Sequence, residues 1–462
     1  MWRAGIYSRR SGWWGCTAPR RMGEVTKQGF SLPKLDVRAL PGPGTILRRV
    51  LPNGVVVLGR ENFSSPSVVI SGFLQAGSLG ESRSRAGLAH ITALALMRGT
   101  KERSFQRIFE SIESIGAGLS VVAGTHSTIF QGKALAEDLS LLLDLLADVL
   151  RNPAFPESQV ERLKAEQLTA LAIRDQNTGA RAQLAFDELA YPNHPYCLPP
   201  AGYRDTVAEF TSVDLRDFHR QRFGPQGMVI AVVGAVAVEE AAAAVANSLG
   251  NWRNPQQPSQ PELPPIHQPS ELLRRVVHLP GKSQCDIVLG VPGPSRFDDD
   301  YMAAALGNSI LGRFGMYGRI GDAVRESAGL AYYAYSTLGG GPGPGPWQVI
   351  AGVNPVGVEQ VIELIRVEIK RLVTQRVTKE ELIDNQANFI GRLPLQLETN
   401  EGVAGALLHI ERYALGMDYY HRYPEIVTSV TRDQVIQAAR RFLDPDRLAI
   451  TIAGSMDEGD KE

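Results

Sequence analysis

The sequence TSVDLRDFHRQRFGPQGMVIAVVGAV, residues 211–236, has a counterpart near the end of the chain, TSVTRDQVIQAARRFLDPDRLAITIAGSM, residues 428–456. Each copy begins with Thr-Ser-Val, continues with a helical pattern, turns through a proline, runs as an apolar strand and stops at Gly234 or Gly454. With a three-residue gap, the second copy lies about 220 residues after the first. A repeat distance this long indicates two duplicated domains rather than a solenoid of short repeats.

A proline-rich stretch divides the chain near its middle. Residues 253–270, RNPQQPSQPELPPIHQPS, are rich in proline and contain almost no apolar side chains. Because proline fixes φ and removes an N–H donor, this stretch is predicted to be an extended linker. We therefore predict an N-terminal arm at 1–44, a first domain at 45–252 and a second domain at 271–462.

Each half mixes strand and helix patterns. Residues 51–61, LPNGVVVLGRE, are typical of a β-hairpin whose Asn-Gly pair takes positive φ, and residues 67–78 are typical of a further strand. Residues 137–153 and 158–176 have helical apolar patterns. Grouped strands and helices favour an α+β fold with two homologous domains, each a mostly antiparallel sheet covered by helices on one face.

The composition is that of an ordinary globular protein. The chain has 462 residues, of which 44% are hydrophobic and 21% charged, and a net charge of −1. This balance gives no general attraction to nucleic acid, and no apolar run reaches the roughly 18–20 residues that a membrane-spanning helix needs. Cys16, Cys197 and Cys285 form no C-x-x-C pair, which suits isolated thiols in a reducing compartment. We therefore expect no nucleic-acid partner and no membrane span, and we favour a bacterial cytoplasm.

The first residues have an unusual composition. Residues 1–23 are rich in arginine and contain no acidic residue. Such a segment is typical of a mitochondrial transit peptide, which would place the protein in the matrix. We favour the interpretation that translation starts at Met22 and that residues 1–21 are an extension or a disordered arm.

Residues 87–100, GLAHITALALMRGT, look like a catalytic helix without its catalytic residues. The segment resembles the pitrilysin and mitochondrial processing peptidase family, the inverzincins, whose zinc helix carries H-x-x-E-H. In that family the two histidines bind zinc and the glutamate acts as a base on the zinc-bound water. The family's frame around the motif is present here at Ala76-Gly77-Ser78, Gly87, Ala89, His90 and Gly99-Thr100.

The resemblance implies that this chain has lost its own zinc site. His90 remains, but Ala93 stands at the position of the base and Leu94 at that of the second histidine. The family's third ligand, a glutamate on a later helix, corresponds to Ala170, with Glu166 one helical turn away. A single histidine does not hold a catalytic zinc ion. We therefore expect no metal or cofactor in this chain and zinc in a partner subunit.

Residues 324–340, VRESAGLAYYAYSTLGG, resemble the family's V-R-E-x-x-G-L-A-Y segment. In active members an arginine and a later tyrosine of this segment complete the active site, and they correspond to Arg325 and Tyr332. The resemblance implies that the tyrosine hydroxyl donates to an oxyanion and that the arginine orients the peptide. The alternative is a structural ion pair for Arg325 and a packed strand aromatic for Tyr332.

Two further segments are candidates for contact with substrate. Residues 118–132, which include Ser120, resemble the family's edge strand, on which an extended peptide pairs through its backbone. Residues 311–320 resemble, by their place before the arginine-bearing helix, the glycine-rich substrate loop of mitochondrial processing α subunits. Gly312 and Gly315 are the predicted contacts with substrate. The Gly/Pro-rich loop at 338–347 is predicted instead to connect two strands of a hairpin.

Together these features predict a non-zinc-binding subunit of a heterodimeric metallopeptidase that is inactive alone. Its partner would be a homologous chain with an intact H-x-x-E-H motif, and its substrate an extended peptide. One alternative is a structural scaffold that resembles the zinc-less core proteins of the cytochrome bc1 complex. Another is a peptide-binding pseudopeptidase. Arg325 and Tyr332 favour the peptidase subunit, because a scaffold has no need of them.

Overall fold

The computed structural model describes residue 33, residues 35–315 and residues 318–456. The arginine-rich leader, the alternative start at Met22 and Cys16 lie outside the described residues. Within the described residues, none of the helices is both long enough and apolar enough to cross a membrane.

The first half of the chain builds a six-stranded sheet. Its strands are β1 Leu47–Val50, β2 Val56–Glu61, β3 Ser67–Leu74, β4 Gly118–Ala123, β5 Thr128–Leu135 and β6 Val229–Gly234. Their order across the sheet is β1-β2-β6-β3-β5-β4, with β2 and β6 parallel and the other neighbours antiparallel. Every residue of β6 is buried, in keeping with its uninterrupted apolar sequence.

The second half builds a five-stranded sheet of the same design. Its strands are β7 Leu273–His278, β8 Cys285–Pro292, β9 Ala331–Leu338, β10 Pro346–Val353 and β11 Ala449–Gly454. Their order is β7-β11-β8-β10-β9, with β7 and β11 parallel and the other neighbours antiparallel. This order repeats β2-β6-β3-β5-β4 of the first sheet, so the predicted duplication is confirmed. Residues 253–270, between the two sheets, contain no helix or strand.

Helices pack on both sheets. Those of the first half are α1 Leu88–Ala95, α2 Phe105–Ser114, α3 Leu139–Arg151, α4 Glu157–Asp175, α5 Thr178–Ala190, α6 Arg204–Glu209, α7 Ser212–Arg222 and α8 Val238–Leu249. Those of the second half are α9 Tyr301–Gly312, α10 Gly318–Ile320, α11 Val358–Thr374, α12 Lys379–Gln396, α13 Asn400–Arg412, α14 Tyr419–Thr428 and α15 Arg432–Phe442. A π-helix, Gly321–Ser327, directly follows α10. The α+β class predicted from the sequence is confirmed.

In each half, one helix packs against the sheet of the other half. Helix α5 packs on β8 and β11, where Phe186 is fully buried and the Thr451 hydroxyl donates to the Ala182 carbonyl at 2.8 Å. Helix α13 packs in the same way on β3 and β6, where the Arg412 guanidinium carbon lies 4.0 Å from the centre of the Phe73 ring. The other helices of each half cover one face of its own sheet, as predicted. The helix that comes from the other half, α5 or α13, covers part of the second face, and we call these two the exchanged helices.

Helix caps set the register between the two repeats. Thr211 begins α7 and Thr431 begins α15, each in a capping box with the side chain three residues later, Asp214 or Gln434. Thr211 therefore corresponds to Thr431 without a gap, and the second Thr-Ser-Val belongs to the end of α14. The gap inferred from the letters alone was wrong, because identical letters there serve a different helix end.

The predicted hairpin of β1 and β2 is confirmed, but its turn differs in detail. Gly54 takes a φ of 90°, whereas Asn53 is not among the residues with positive φ. The Asn53 side chain instead donates to the carbonyls of Leu249 at 2.8 Å and Trp252 at 3.3 Å. The Asn-Gly pair thus ties the turn to the end of α8, and the first strand begins earlier than predicted, at Leu47.

His219 on α7 makes the stability of the first half depend on pH. Its ring stacks on Phe223 at 4.8 Å, and its Nε2 donates to the Leu150 carbonyl at 2.8 Å. Burial lowers the pKa of His219 to about 4, although the carbonyl raises it. Because the folded state binds fewer protons than the unfolded chain, this contribution is complete above pH ~6.5 and is lost as the pH falls toward ~4.

We expect His219→Gln to reduce the loss of unfolding free energy between pH ~7.5 and ~4.5 by roughly 2–3 kcal/mol. Guanidinium titrations of both proteins at the two pH values measure this difference. His278→Gln, at an exposed position on β7, is the matched control and should lose as much stability as the unmodified chain. An equal loss in the His219 variant would contradict the prediction.

Candidate functional site

The motif helix α1 starts from a backbone conformation that favours glycine. Gly87 precedes α1 with a φ of 100°, and a Cβ at this position would lie 2.9 Å from the Gly202 Cα. The Glu81 carboxylate accepts hydrogen bonds from the Gly87 and Ala89 N–H groups at 2.9 and 2.6 Å. Burial raises the pKa of Glu81 to about 7, although both hydrogen bonds lower it. Gly87 has no side chain that could cap the N-terminus of α1. The Glu81 carboxylate, which lies outside the helix, therefore caps it instead.

His90 joins α1 to two neighbouring elements. Its ring lies beside the Ala123 backbone, at the end of β4, and the Gln167 side chain on α4, and both groups favour its protonated form. Burial lowers the pKa of His90, and the two groups raise it by less. The histidine at a family zinc position thus links a helix, a strand edge and a second helix. Gln167 was missed in the sequence, although it lies on the predicted ligand helix one turn before Ala170.

The other positions that the sequence predicts to correspond to the family's zinc site carry no side-chain atom that binds a metal. Ala93 is buried, Leu94 is half-buried and Ala170 is exposed. Glu166 forms an ion pair with Arg98 at 2.5 Å. In the part of the chain that the structure describes, no group of three His, Cys, Asp or Glu side chains is arranged to hold a metal ion. A catalytic zinc ion needs three protein ligands, so these residues do not fit zinc.

Strand β4, which carries Ser120, forms one edge of the first sheet. It pairs with β5 and has no other strand neighbour among the described residues. Val121 and Ala123 face the core, whereas the Ser120 side chain is exposed on the opposite face. An extended peptide would therefore meet this strand through main-chain N–H and C=O groups.

Arg325 lies in the π-helix Gly321–Ser327. Such widened turns are rare in proteins, and those that occur are often found at functional sites. The Arg325 side chain is half-buried, and its Nε lies 3.7 Å from Glu326 Oε1. Gly329, with a φ of 66°, then turns the chain into β9, against which the π-helix packs. The turn that carries Arg325 and the strand that carries Tyr332 are thus built as one unit.

Tyr332 is the extra residue of a β-bulge in β9. In the pairing of β9 with β10, Tyr333 faces Gly352 while Ala331 faces Val353, which leaves Tyr332 without a partner. Bulges bend a strand and redirect a side chain, and they are common next to active sites. The Tyr332 side chain is 65% exposed. A strand pattern cannot reveal such a bulge, because it depends on the pairing with β10.

The next residue, Tyr333, anchors the bulge to a buried carboxylate. Its hydroxyl donates to Asp286, which is 2% exposed. Asp286 also accepts hydrogen bonds from the Thr178 hydroxyl and from the Gln284 amide, the latter at 3.2 Å. Thr178 begins the exchanged helix α5, so the bulge is tied to both halves of the chain. The sequence contained no signal for Asp286, since its contacts are distant in the chain.

The glycine-rich segment has structural reasons for its glycines. Gly312 ends α9, and a Cβ there would lie 2.5 Å from the Ser336 backbone nitrogen on β9. Gly315 has a φ of 64° in a turn with open space around it. Contact of either glycine with substrate stays a prediction. The loop at 338–347 is a hairpin connection between β9 and β10, as predicted.

The candidate residues form two groups at equivalent sheet edges. His90 lies beside β4, at the edge of the first sheet, and Tyr332 lies on β9, at the corresponding edge of the second. Among the described residues the first group contains no set of three metal ligands, whereas the second contains an exposed tyrosine and a guanidinium.

Two protein-family models match this chain. The model described as Insulinase (Peptidase family M16) matches residues 56–196, and the model described as Peptidase M16 inactive domain matches residues 209–389. The chain belongs to the M16 peptidase family. The family predicted from the frame around His90 is thereby confirmed.

Several proteins resemble this M16 family member over most of its length. An uncharacterized zinc protease of Streptomyces coelicolor is 28% identical over 374 residues, 80% of this chain and 80% of that protein. The mitochondrial-processing peptidase subunit beta of Saccharomyces cerevisiae is 24% identical and covers 78% of this chain and 80% of its own length. The crystal structure of a peptidase M16 inactive domain from Pseudomonas fluorescens has a TM-score of 0.81 at 25% identity, covering 89% of this chain and 98% of that chain.

Proposed function

We propose that this M16 chain is the non-zinc-binding subunit of a heterodimeric peptidase. In this proposal it supplies Arg325 and Tyr332 to the active site of a homologous partner that carries an intact H-x-x-E-H motif and the zinc ion. The observation that carries the proposal is the contrast between the two sheet edges. Beside β4, His90 has no second and third zinc ligand among the described residues, while a bulge on β9 exposes the Tyr332 side chain.

The chemistry of Tyr332 suits a role at a carbonyl under attack. Hydrolysis of a peptide places negative charge on the carbonyl oxygen in the transition state, and a fixed hydroxyl donor stabilises that charge. Tyr332 is held by the bulge and by the anchoring of Tyr333 to Asp286. The backbone that carries the donor is therefore fixed before substrate binds, which favours effective stabilisation.

The chemistry of Arg325 suits a role in holding the peptide. A guanidinium offers planar N–H donors that match carbonyl and carboxylate oxygens. Arg325 lies on a π-helix that packs against β9, and is therefore next to the strand that carries Tyr332. In the proposed complex Arg325 orients the substrate backbone while Tyr332 donates to the developing oxyanion.

The edges of the two sheets suit an extended peptide as substrate. β4 and β9 each pair with one strand only among the described residues. Such edges offer N–H and C=O groups to a peptide that adds as a further strand. The proposed partner would face these edges. The proposal places the pair in a bacterial cytoplasm, and the similarity to a Streptomyces protein supports the bacterial origin.

Affinity purification of the chain from its native cell tests the partnership. We expect a stoichiometric partner of similar size with an H-x-x-E-H motif. The purified pair should hydrolyse a fluorogenic peptide, and each subunit alone should not. Recovery of respiratory membrane subunits would favour the scaffold instead, and hydrolysis by the isolated chain would contradict the proposal.

A further inference from the structure

A cavity of about 580 Å³ lies in the second half, between α9, α12, α13 and α14. We call it the arginine cavity. Its volume falls in the range of small-molecule sites, roughly 300–1,000 Å³. Neither Arg325 nor Tyr332 lines it, so what it binds does not depend on the proposed peptidase role.

The charged side chains of the arginine cavity have one sign. It is lined by Arg296, Arg313 and Arg392, and no aspartate or glutamate is among the described residues that line it. His409 also lines the cavity. Two of the acidic residues close in sequence to Arg296, Asp298 and Asp300, form ion pairs with Arg441, which does not line the cavity. The described lining residues therefore include three guanidinium groups and no carboxylate.

One of these arginines is held rigidly by aromatic side chains. Arg296 Nη2 donates to the Tyr419 hydroxyl at 2.9 Å, and the guanidinium carbon lies 4.5 Å from the centre of the Tyr301 ring. Further aromatic rings complete the wall, from Phe389, Tyr420 and Tyr423. A guanidinium fixed in this way loses little conformational freedom when it binds an anion, and the rings offer flat apolar surface.

The positive field of the cavity also acts on His409. Burial, Arg296 and Arg412 lower the pKa of His409 to about 4. An anion placed against Arg296 would offset this field and raise the pKa of His409.

Helix α13 leaves room in the cavity. Gly405 lies in the middle of α13, where glycine costs stability relative to alanine. A Cβ at Gly405 would meet nothing within 4 Å, and the neighbouring lining residue is the small Ala406. The space is therefore not filled by side chains of this helix.

We propose that the arginine cavity binds a small organic anion that carries a carboxylate or phosphate group on a flat apolar body. Arg296 and Arg392 would bind the anionic group, because a guanidinium fork matches carboxylate and phosphate oxygens. The rings of Tyr301 and Phe389 would cover the apolar body. Such a ligand would touch α9, α12 and α13 at once, and would therefore stabilise the helix that the second half lays on the first sheet.

Binding of 1-naphthyl phosphate and 1-naphthoate to the purified full-length chain tests the proposal by isothermal calorimetry. We expect saturable one-to-one binding of at least one of these anions in the micromolar range. Neutral 1-naphthol should bind at least about tenfold more weakly, because it lacks the charge that pairs with the arginines. Inorganic phosphate should also bind more weakly, because it lacks the apolar body, and tight binding of inorganic phosphate alone would overturn the assignment of an organic ligand.

Two variants locate the binding site. Arg296→Met with Arg392→Met should weaken binding at least about tenfold through loss of charge, and Gly405→Leu should do so by filling the cavity. Arg162→Met, at an exposed position on α4, is the matched control and should bind as the unmodified chain does. Circular dichroism confirms that each variant is folded. Unchanged binding in the folded Gly405 variant, or no saturable binding of either anion to the unmodified chain, would overturn the proposal.

Discussion

Replacing Tyr332 by phenylalanine should lower kcat of the assembled peptidase about 100- to 1,000-fold. The substitution removes one hydroxyl and keeps the ring. Since the proposed hydrogen bond forms to the oxyanion rather than to the ground-state carbonyl, KM should change by less than about twofold. Steady-state hydrolysis of a fluorogenic peptide by the purified heterodimer measures both constants.

The structure allows this result to be separated from a loss of folding. Tyr332 is 65% exposed and is the unpaired residue of the bulge, so its hydroxyl contributes little to stability. Tyr335→Phe is the matched control, since it removes the same group from the same strand, and it should leave kcat unchanged. If Tyr332→Phe kept full kcat in a stable heterodimer, the catalytic role of Tyr332 would be wrong. Complex formation is checked by gel filtration.

Local patterns were sufficient to predict much of the fold. The apolar strand at β6, the proline-rich stretch and the repeated helix-to-strand unit all act through residues close in sequence, and each indicated its element correctly. The exchange of α5 and α13 could not be predicted in this way. Phe186 on α5 is an ordinary apolar helix residue, and only the packed structure shows that it lies on the sheet of the other half.

In the candidate site, too, features that depend on residues close in sequence could be predicted, whereas features that depend on distant contacts could not. The spacing of Arg325 and Tyr332 was visible because both residues belong to one short segment. The bulge at Tyr332 was not, because it arises from the register with Gly352 and Val353 on another strand. Gln167 and Asp286 were missed for the same reason, since their partners His90 and Tyr333 lie far from them in the chain.

Replacing Asp148 by alanine should lower the free energy of unfolding by about 3–5 kcal/mol. Asp148 on α3 is 5% exposed. Its carboxylate accepts hydrogen bonds from the Thr100 hydroxyl at 2.7 Å, from Arg103 Nη1 at 2.6 Å and from Asn152 Nδ2 at 3.2 Å. Alanine would leave the Arg103 guanidinium short of a buried counter-charge and the Thr100 hydroxyl without its acceptor, and both losses add to the cost.

Asp144→Ala is the matched control, because Asp144 pairs with the same arginine at 2.7 Å but is 59% exposed. Water screens that pair, so its loss should cost less than about 1 kcal/mol. Guanidinium titrations of both variants at neutral pH give the comparison. Thr100 closes the segment that follows α1, so the Asp148 variant should loosen the region around His90 and leave the bulge at Tyr332 intact. Similar losses in the two variants would mean that burial of Asp148 adds nothing to its ion pair, which would contradict the prediction.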